Sequence, residues 1–496
     1  MAPSTLLPRR LRSRRIFRAV LLLFAVWNVV EVHYICRRLQ QAAAIHSLPG
    51  SALTQAEAGS GTSASSPDVS GEDIDTSENE NTVKERRWQA AINDLQRSLR
   101  LQRPPRVYIA SLHWNNEAIL RSHWNAAVLD LARALGPENV FVSIHESGSW
   151  DRSADALREL DAALGDLGVP RDIVLDPTTH KEEVERNVRP GTPGWIPTSR
   201  GRHELRRIPY LARLRNRSLA PLRDMAILAT VAEATEKNMD TKDGPKARTF
   251  DRVLFLGDVV FTVDDVLALL ATNGGSYGAA CSLDFHKPPS YYDTFALRDA
   301  DGHEHATHTW PYFRSFASRR AMKLSVPVPV KSCWNGMVAM PARPFTIAED
   351  PLAFRGIDDS LALHHLEGSE CCLVHADNPL SATKGVFLNP NVRVGYHAQA
   401  YDAVHPAPGK AWLSPLEVLV GLWRNRLRRL TTSPAIKEWR VRKLLEQWKK
   451  EGEEEMSSDG SKKPTQKPGK GKRVENGVFC LINEMQVLVE NGWAHV

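Results

Sequence analysis

The stretch RVLFLGDVVFTVDDVLALL, residues 252–270, restricts the fold of this chain more than any other part of the sequence. It opens with a continuous apolar run, which suits a strand buried on both faces of a parallel sheet. Thr262 then precedes acidic residues and leucines, which is the pattern of a capped helix. Asp258 lies between the two, at the carboxyl end of the strand. Ligands of open α/β sheets bind at such ends, so Asp258 serves either a site or a turn in which it accepts backbone N–H groups.

The same order of strand and helix repeats along the chain. Predicted strands with polar ends cover residues 106–116, 139–149 and 171–176, and each of the first two precedes a helical pattern. Strands that alternate with helices are joined by right-handed crossovers, which place them side by side in one sheet. We therefore predict an α/β fold with a mostly parallel central sheet flanked by helices.

Three aspartates follow strands within a short part of the chain. Asp258 follows the strand described above, Asp284 closes the run SYGAACSLDF, and Asp293 lies in YYDTFALRDADG. Carboxylate oxygens suit Mg²⁺ and Mn²⁺, and these ions keep positions open for phosphate oxygens. The sequence therefore predicts a binding site for a divalent cation, Mn or Mg, and a diphosphate. It contains no Gly-rich phosphate loop.

The N-terminus has the composition of a membrane signal. Arginines without acids precede AVLLLFAVWNVV, residues 19–30, and the apolar segment continues to Cys36. Either a retained type II anchor or a signal peptide cleaved at residues 42–44 fits, and both place the rest of the chain in the secretory lumen. The anchor is favoured because residues 41–82, rich in Ser, Gly and acids, have the composition of a disordered tether. Short spans suit Golgi or endoplasmic reticulum membranes.

A second basic segment lies near the C-terminus. Residues 423–450 contain ten Lys or Arg interleaved with Trp and Leu. They form either a membrane-surface helix or, as the favoured alternative, a solvated helix packed on the core through Ile436, Trp439 and Leu444. The net charge of +6 over 496 residues is modest and predicts no nucleic-acid partner.

These segments divide the chain into five predicted parts. They are a cytosolic basic tail, a membrane span, a disordered stem, a catalytic domain and a basic helical extension, at residues 1–18, 19–36, 37–82, 83–420 and 421–496, with a disordered loop at 451–473. Five cysteines outside the span predict at least one free thiol and leave the disulfide pairing open. Asn216 begins a sequon, Asn-Arg-Ser, which is either glycosylated or unused.

Six blocks of sequence occur in order within residues 106–405. They read RIPYLARLRNRSLAPL, LGDVVFTVDDVLALL, YYDTFALRD, PVPVKSCWNGMVAM, HHLEGSECCLVHADN and NPNVRVGYHAQAYDAVH. This text resembles the fungal, cryptococcal-type α-1,3-mannosyltransferase family, glycosyltransferase family 69. The resemblance implies a single-domain, GT-A-like nucleotide-sugar transferase fold. It also implies a type II membrane enzyme that transfers mannose from GDP-mannose to a mannose-containing glycan, in α-1,3 linkage with retention at the anomeric carbon.

The resemblance implies a donor site around the acidic strand ends. Asp258 takes the last place of an Asp-x-Asp motif and is expected to contact the donor or its metal, with Gly257 where relatives commonly carry Asn. Asp284 and Asp293 are expected to contact the donor as well. Trp334 and Asn335 would bind sugar, the indole covering C–H faces and the amide reaching hydroxyls, unless Trp334 is a core residue.

Charged residues elsewhere complete the predicted site. Arg298 is either a donor contact or part of a local ion pair, and Lys331 and Arg393 are expected to stabilise the departing diphosphate. Glu370 or Asp377 would act as a base or stabilise the oxocarbenium-like centre.

His375 in the same block is expected to contact phosphate, and the Cys-Cys-Leu-Val run beside it is predicted to be a strand. The alternatives are a transferase of another sugar or linkage, or a non-catalytic relative that supports polysaccharide export.

Overall fold

The computed structural model describes residues 9–46, 80–235, 248–407, 409–458 and 473–496. Most of the predicted stem and of the predicted loop at 451–473 lies outside these residues. The strands are β1 (Val107–His113), β2 (Val140–Ser147), β3 (Arg171–Asp176), β4 (Trp195–Pro197), β5 (His203–Leu205), β6 (Arg252–Leu256), β7 (Ala279–Lys287), β8 (Ser290–Tyr291), β9 (Arg298–Asp299), β10 (Val328–Ser332), β11 (Met337–Pro341), β12 (Glu367–Gly368), β13 (Val386–Gly395), β14 (Leu481–Ile482), β15 (Gln486–Val489) and β16 (Gly492–His495).

The helices surround and follow these strands. They are α1 (Arg9–His46), α2 (Glu80–Ser98), α3 (Glu117–Ile119), α4 (Asn125–Leu135), α5 (Ser153–Asp166), α6 (His180–Val184), α7 (Arg207–Ser218), α8 (Ala220–Thr235), α9 (Val263–Leu270), α10 (Phe316–Leu324), α11 (Arg343–Thr346), α12 (Asp359–Ala362), α13 (Glu370–Asp377), α14 (Pro379–Lys384), α15 (Ala398–Val404), α16 (Pro415–Thr431) and α17 (Ala435–Ser458). A π-helical turn, Leu120–Trp124, joins α3 to α4. The apolar N-terminal helix α1 continues to His46, ten residues past the predicted end of the span.

One large sheet organises the molecule in the order β3-β2-β1-β6-β11-β7-β13-β10-β9, with β8 beside β7. Parallel pairing joins β1 to β2 and β6, β2 to β3, and β13 to β7, while β11 runs antiparallel between β6 and β7. The strands β1, β6, β7 and β13 therefore point the same way, and their carboxyl ends meet along one edge. The predicted α/β class with a large, mostly parallel central sheet is confirmed.

Side-chain alternation along the central strands produces the two faces of the sheet. In β1, Tyr108 and Ala110 enter the core cluster on one face, while Val107 and Ile109 enter the cluster on the other. Every residue of β6 (Arg252–Leu256) is buried. Burial on both faces explains why these strands are continuous apolar runs in the sequence.

The predicted Cys-Cys-Leu-Val strand is wrong, because these residues belong to helix α13. The Ser369 hydroxyl accepts the backbone N–H of Cys371 at 3.2 Å and starts the helix. Residues Glu370–His375 are all buried, so no polar face marks a helical period in the sequence. Such short apolar runs fit a buried helix and a buried strand equally well.

The basic C-terminal segment forms two helices, α16 and α17, of which α17 packs on the domain through different residues from those predicted. Ile436 and Trp439 are exposed, while Val441, Leu445 and Trp448 enter a core cluster. Leu444, the third predicted contact, lies at the edge of that cluster. The buried side of α17 therefore begins at Val441, further along the helix than the predicted contacts Ile436 and Trp439.

Two disulfides connect parts of the chain that are distant in sequence. Cys281 pairs with Cys333, and Cys372 pairs with Cys480 across a separation of 108 residues. Cys371 is a free, buried thiol, which confirms the prediction that at least one cysteine outside the span is unpaired. Because the second disulfide closes a long loop, it holds the C-terminal segment against α13.

The sequon residue Asn216 has a structural role in α7. Its Nδ2 donates to the Phe354 carbonyl at 2.7 Å, and its Oδ1 accepts the Phe354 N–H at 3.0 Å. A glycan on Nδ2 would disrupt this pair, so we expect no mass change on N-glycosidase treatment when the protein is produced in cells that glycosylate such sequons. Asn216→Ala should lower the free energy of unfolding by about 1–3 kcal/mol, measured in denaturant, because it leaves both Phe354 groups unpaired. Ser218→Ala removes the sequon and keeps Asn216, so a smaller loss is expected from it.

Candidate active site

Asp258 lies directly beyond β6, half-buried, at the edge where the parallel strands end. Helix α9, which follows, is capped by Thr262 and Asp265 through a reciprocal capping box. Asp258 therefore has no part in capping this helix. Its Oδ2 accepts the Asn116 Nδ2 at 3.0 Å, and its Oδ1 accepts no hydrogen bond within the described part of the chain. One oxygen of Asp258 is thus available to a ligand.

A second pair of carboxylates lies at the end of β7. The Asp284 side chain is fully buried and accepts Asn335 Nδ2 at 2.8 Å, the Tyr396 hydroxyl at 3.1 Å and the Asp293 backbone N–H. The Asp293 carboxylate accepts the backbone N–H groups of Phe295 and, at longer distance, of Asn335. The predicted donor residues Asp284, Asp293 and Asn335 thus form one hydrogen-bonded unit.

The electrostatics of this unit favour protonation. Burial raises the pKa of Asp284 to about 7, and the charge of Asp293 adds to the shift, against the hydrogen bonds from Asn335 and Tyr396. Burial also raises the pKa of Asp293, and the charge of Glu370 raises it further. Carboxylates with raised pKa values at the end of a sheet are typical of functional sites.

Asp258 and the buried pair belong to one acidic cluster. Burial raises the pKa of the Tyr396 hydroxyl, and the charges of Asp284, Asp258 and Asp293 raise it further in that order. The charges of all three aspartates therefore act on the hydroxyl of Tyr396. We call Asp258, Asp284, Asp293, Asn335 and Tyr396 the acidic cluster.

Glu370 extends the cluster toward helix α7. Its Oε1 accepts Arg215 Nε at 3.1 Å, and the Arg215 guanidinium lies 4.5 Å from the centre of the Trp334 ring. Trp334 also contacts Phe255 and Phe354. Arginine and phenylalanine rather than open space therefore surround the indole, and Trp334 supports Arg215 beside Glu370.

Gly257 brings two strands into backbone contact at the centre of the site. Its N–H donates to the Gly336 carbonyl at 2.8 Å, and a Cβ at this position would lie 2.9 Å from the same oxygen. Gly336 itself has φ of +89°, a conformation that favours glycine. A side chain at position 257 would therefore require a shift of the backbone.

Gly257→Asn should therefore lower the stability of the protein and should not supply an additional metal ligand. We expect the melting temperature to fall by several degrees, since the added Cβ forces β6 and the Asn335–Gly336 turn apart. Gly274→Asn is a matched control, because a Cβ there meets nothing within 4 Å and Asn tolerates its positive φ. Equal melting temperatures for the two variants would contradict the close contact.

Three basic residues were predicted to contact the donor. Arg298 is buried and donates to the backbone carbonyls of Phe479 and Phe295, so it holds the C-terminal segment. Arg393 donates to the carbonyls of Val404 and Pro390, and Lys331 is exposed on β10. Their predicted donor contacts stay predictions, and within the described residues none of the three donates a hydrogen bond to a carboxylate of the acidic cluster.

The other two residues predicted near Glu370 also point elsewhere. Asp377 forms a two-pronged ion pair with Arg355, at 2.6 and 3.0 Å. His375 is buried with Nε2 at 2.6 Å from the Cys333 carbonyl, and burial lowers its pKa to about 4. A neutral, buried imidazole is unsuited to hold a phosphate. Only Glu370 of this predicted group joins the cluster.

Several residues at the site were not predicted. Asn116 holds Asp258, and His113 contacts Asn116 at 3.2 Å; burial lowers the pKa of His113 to about 4, so it is neutral. Arg215 and Tyr396 lie inside the blocks RIPYLARLRNR and NVRVGYHAQ quoted above. The polar end of β1 was a signal for Asn116, but the sequence does not show which strand ends become neighbours.

The donor set suits a hard divalent cation. Asp258 offers a half-buried oxygen that accepts no hydrogen bond within the described residues, and its charge acts on Tyr396 together with those of Asp284 and Asp293. Mg²⁺ and Mn²⁺ prefer carboxylate oxygens as ligands. Asp258 is the residue that would hold such an ion, because the oxygens of Asp284 are already hydrogen-bonded.

A family comparison matches the region that contains this site. The family model described as Cryptococcal mannosyltransferase 1 matches residues 106–377. The chain belongs to this mannosyltransferase family. The match includes Asp258, the Asp284–Asp293 pair and Glu370. No curated protein matches the sequence.

Solved structures show partial overlaps with this mannosyltransferase-family chain. PcManGT from Pyrobaculum calidifontis, in complex with GDP-Man and Mn²⁺, is 14% identical with a TM-score of 0.30, over 71% of this chain and 86% of that one. TarS 1-349 from S. aureus is 8% identical with a TM-score of 0.28, over 57% of each chain. GalNAc-T7 with UDP, GalNAc and Mn²⁺ is 10% identical with a TM-score of 0.31, over 58% of this chain and 42% of that one. The chain thus spans less than two thirds of TarS 1-349 and of GalNAc-T7. TM-scores and identities as low as these assign no activity to it.

Proposed function

We propose that this protein is a luminal type II membrane glycosyltransferase that transfers mannose from GDP-mannose to an α-mannoside acceptor, in α-1,3 linkage with retention. The observation that carries the proposal is the convergence of separate family blocks on one acidic cluster. Asp258, Asp293, Asn335 and Glu370 come from four different blocks, and Asp258 and Asp293 follow strands at the carboxyl edge of the sheet. Asp293 accepts the Asn335 N–H and interacts with the Glu370 charge, and the charges of Asp258 and Asp293 both act on Tyr396. That edge is where ligands of such sheets bind.

The roles of the residues follow from their partners. Asp258, held by Asn116, would bind the donor diphosphate through Mn or Mg, and that cation would offset the charge of the leaving group. Glu370, held by Arg215, is the carboxylate that would stabilise the oxocarbenium-like centre. In a retaining transfer the leaving diphosphate can accept the proton of the acceptor hydroxyl, so no separate base is needed.

The packing of α1 supports a retained anchor. The residues Ile16–Ala42 form a helix that is apolar enough to span a membrane. Ile35 and Leu39 of this helix are buried in the main core cluster, and Glu31 forms ion pairs with Lys323 and Arg426. Signal cleavage at residues 42–44 would remove these contacts from the catalytic domain. We propose a single-pass protein of the Golgi or endoplasmic reticulum membrane.

The test is transfer by the full-length protein in nanodiscs, with GDP-mannose and an α-mannoside acceptor, with and without Mn. We expect a product with one added α-1,3-linked mannose, formed only with the metal. Transfer from another sugar nucleotide would change the donor and keep the enzyme class. Absence of transfer together with absence of GDP-mannose binding by calorimetry would instead favour the non-catalytic role in polysaccharide export.

A further inference from the structure

Helix α1 is divided by its burial into two parts. Residues 16–26 carry apolar side chains that are exposed, and Val29 and Val30 are exposed as well. From Val32 onward, one side of the helix packs into the main core cluster of the domain. The first part thus enters no core cluster and, apart from the contacts of Phe24 and Trp27 with α16, can enter a bilayer, while the second part packs on the main core.

The free part of α1 is short for a membrane span. Residues 16–30 make about 22 Å of helix at 1.5 Å per residue, whereas the hydrocarbon core of a bilayer is about 30 Å thick. Residues of α1 after residue 30 could complete the span only if the attached domain moved toward the bilayer with them. Asn28 accepts Trp423 Nε1 at 2.7 Å and Glu31 pairs with Arg426, so α1 is fixed to α16 at this point. Helix α16 must therefore lie close to the membrane.

Helix α16 presents an apolar stripe on its outer side. Leu416, Val420, Leu427 and Leu430 are exposed, and Leu430 is 84% exposed. At 100° per residue these positions fall within an arc of about 80°. The buried residues Val418, Gly421, Leu422 and Asn425 occupy the opposite side of the helix. The stripe is thus not part of the core.

The stripe is continuous with the surface that holds α1. Trp423 projects from the same side of α16 and packs on Phe24 with ring centres 5.3 Å apart, and Arg426 lies 4.6 Å from the Trp27 ring. Phe316, at the start of the neighbouring helix α10, is 71% exposed, and Lys323 of α10 pairs with Glu31. Apolar side chains from α1, α10 and α16 therefore surround one place.

Basic residues border the apolar side chains. Arg424 and Arg428 of α16 and Arg320 of α10 are exposed. Helices with Leu, Trp or Phe on one side and arginines beside them lie in membrane interfaces, with apolar groups below the headgroups and cations at the phosphates. This combination fits a lipid surface better than a water-exposed face.

We propose that the outer face of α16, together with Phe316 of α10, is a lipid-binding surface that seats the catalytic domain on the luminal leaflet entered by α1. The proposal rests on retention of α1 as an anchor and not on the sugar or linkage transferred. It gives the catalytic edge of the sheet a fixed position at the membrane, in contrast to a domain on a free tether.

Depth measurements on the full-length protein test this proposal. Cysteines at Leu430→Cys and Phe316→Cys, in a protein with Cys36→Ser and with Cys371 left buried, would carry an environment-sensitive fluorophore. The vesicles would contain phosphatidylcholine, with and without phosphatidylserine, and a spin-labelled lipid as quencher. The control is Val174→Cys on β3, 42% exposed and at the opposite end of the sheet from β9 and β10. We expect several-fold stronger quenching at the first two positions than at the third.

A second pair of variants separates insertion from general adsorption. Leu427→Glu and Leu430→Glu together should remove the quenching at Phe316→Cys while the melting temperature in detergent stays unchanged, because both leucines are exposed. Quenching that is equal at all three positions, or absent at the stripe, would overturn the proposal. Cross-linking of Leu430→Cys to a second copy would also overturn it, since the stripe would then be a dimer interface. Mannosyl transfer without stripe quenching would leave the proposed function intact and refute the lipid surface alone.

Discussion

Asp258→Asn should abolish sugar transfer while leaving the fold intact. The substitution keeps the size of the side chain and the neighbour Asn116 but removes the charge that would hold a cation and diphosphate. We expect turnover to fall by at least about 100-fold, as for the loss of other preorganised charge contacts. The melting temperature should stay within a few degrees, because the residue is half-buried and caps no helix.

The matched control for this variant is Asp264→Asn. Asp264 lies in the first turn of the helix that follows Asp258, and it contacts Arg87 and Trp88 rather than the acidic cluster. Its variant should keep wild-type turnover and metal dependence. If Asp258→Asn unfolds the protein, or keeps full turnover, Asp258 is a structural residue of the turn and the metal assignment is wrong.

Asp284→Asn should make the protein more stable at high pH than the wild type. Burial, with the neighbouring Asp293 charge, raises the pKa of Asp284 to about 7, whereas an unfolded aspartate titrates near 4. The folded wild type thus keeps a proton that the unfolded chain has lost. The contribution of Asp284 to stability is fully present below about pH 4 and is lost as the pH rises toward 7, where the buried carboxylate ionises.

The asparagine variant lacks this titration, so the difference between the two proteins grows with pH. We expect a melting temperature a few degrees above the wild type at pH 8 and no gain at pH 4, measured by calorimetry without metal. Asp264→Asn should retain the wild-type pH dependence. A variant that is less stable than the wild type at both pH values would show that the Asp284 charge is compensated in the folded protein.

Saturating Mn with GDP-mannose should reduce the stability difference at pH 8 if the acidic cluster binds the donor. Ligands that bind only the folded wild type raise its apparent stability by mass action. The same addition should have a smaller effect on Asp258→Asn. The pH profile and the ligand response therefore report on two members of one site by a measurement other than turnover.

Local sequence patterns are enough to predict the fold class and the positions where chemistry is possible. Apolar runs such as β6, followed at once by the pattern of a capped helix, favour strands buried on both faces, and the alternation with helices favours parallel neighbours. The polar residues that close these strands, Asp258 and Asp284, were visible because a charge at the end of an apolar run has no packing role. Local patterns of this kind depend on residues close together in the chain.

Which of these residues act together depends on contacts between parts of the chain that are far apart in sequence. Asp284 meets Asn335 across a separation of 51 residues, and Glu370 meets Arg215 across 155. Charged residues beside the family motifs looked alike in sequence, yet Asp377 is occupied by Arg355, while Arg298 is held by backbone carbonyls. The helix at Glu370–Asp377 was also invisible, because burial on all sides removes the helical period. Partner choice depends on strand order and packing, which local sequence does not encode.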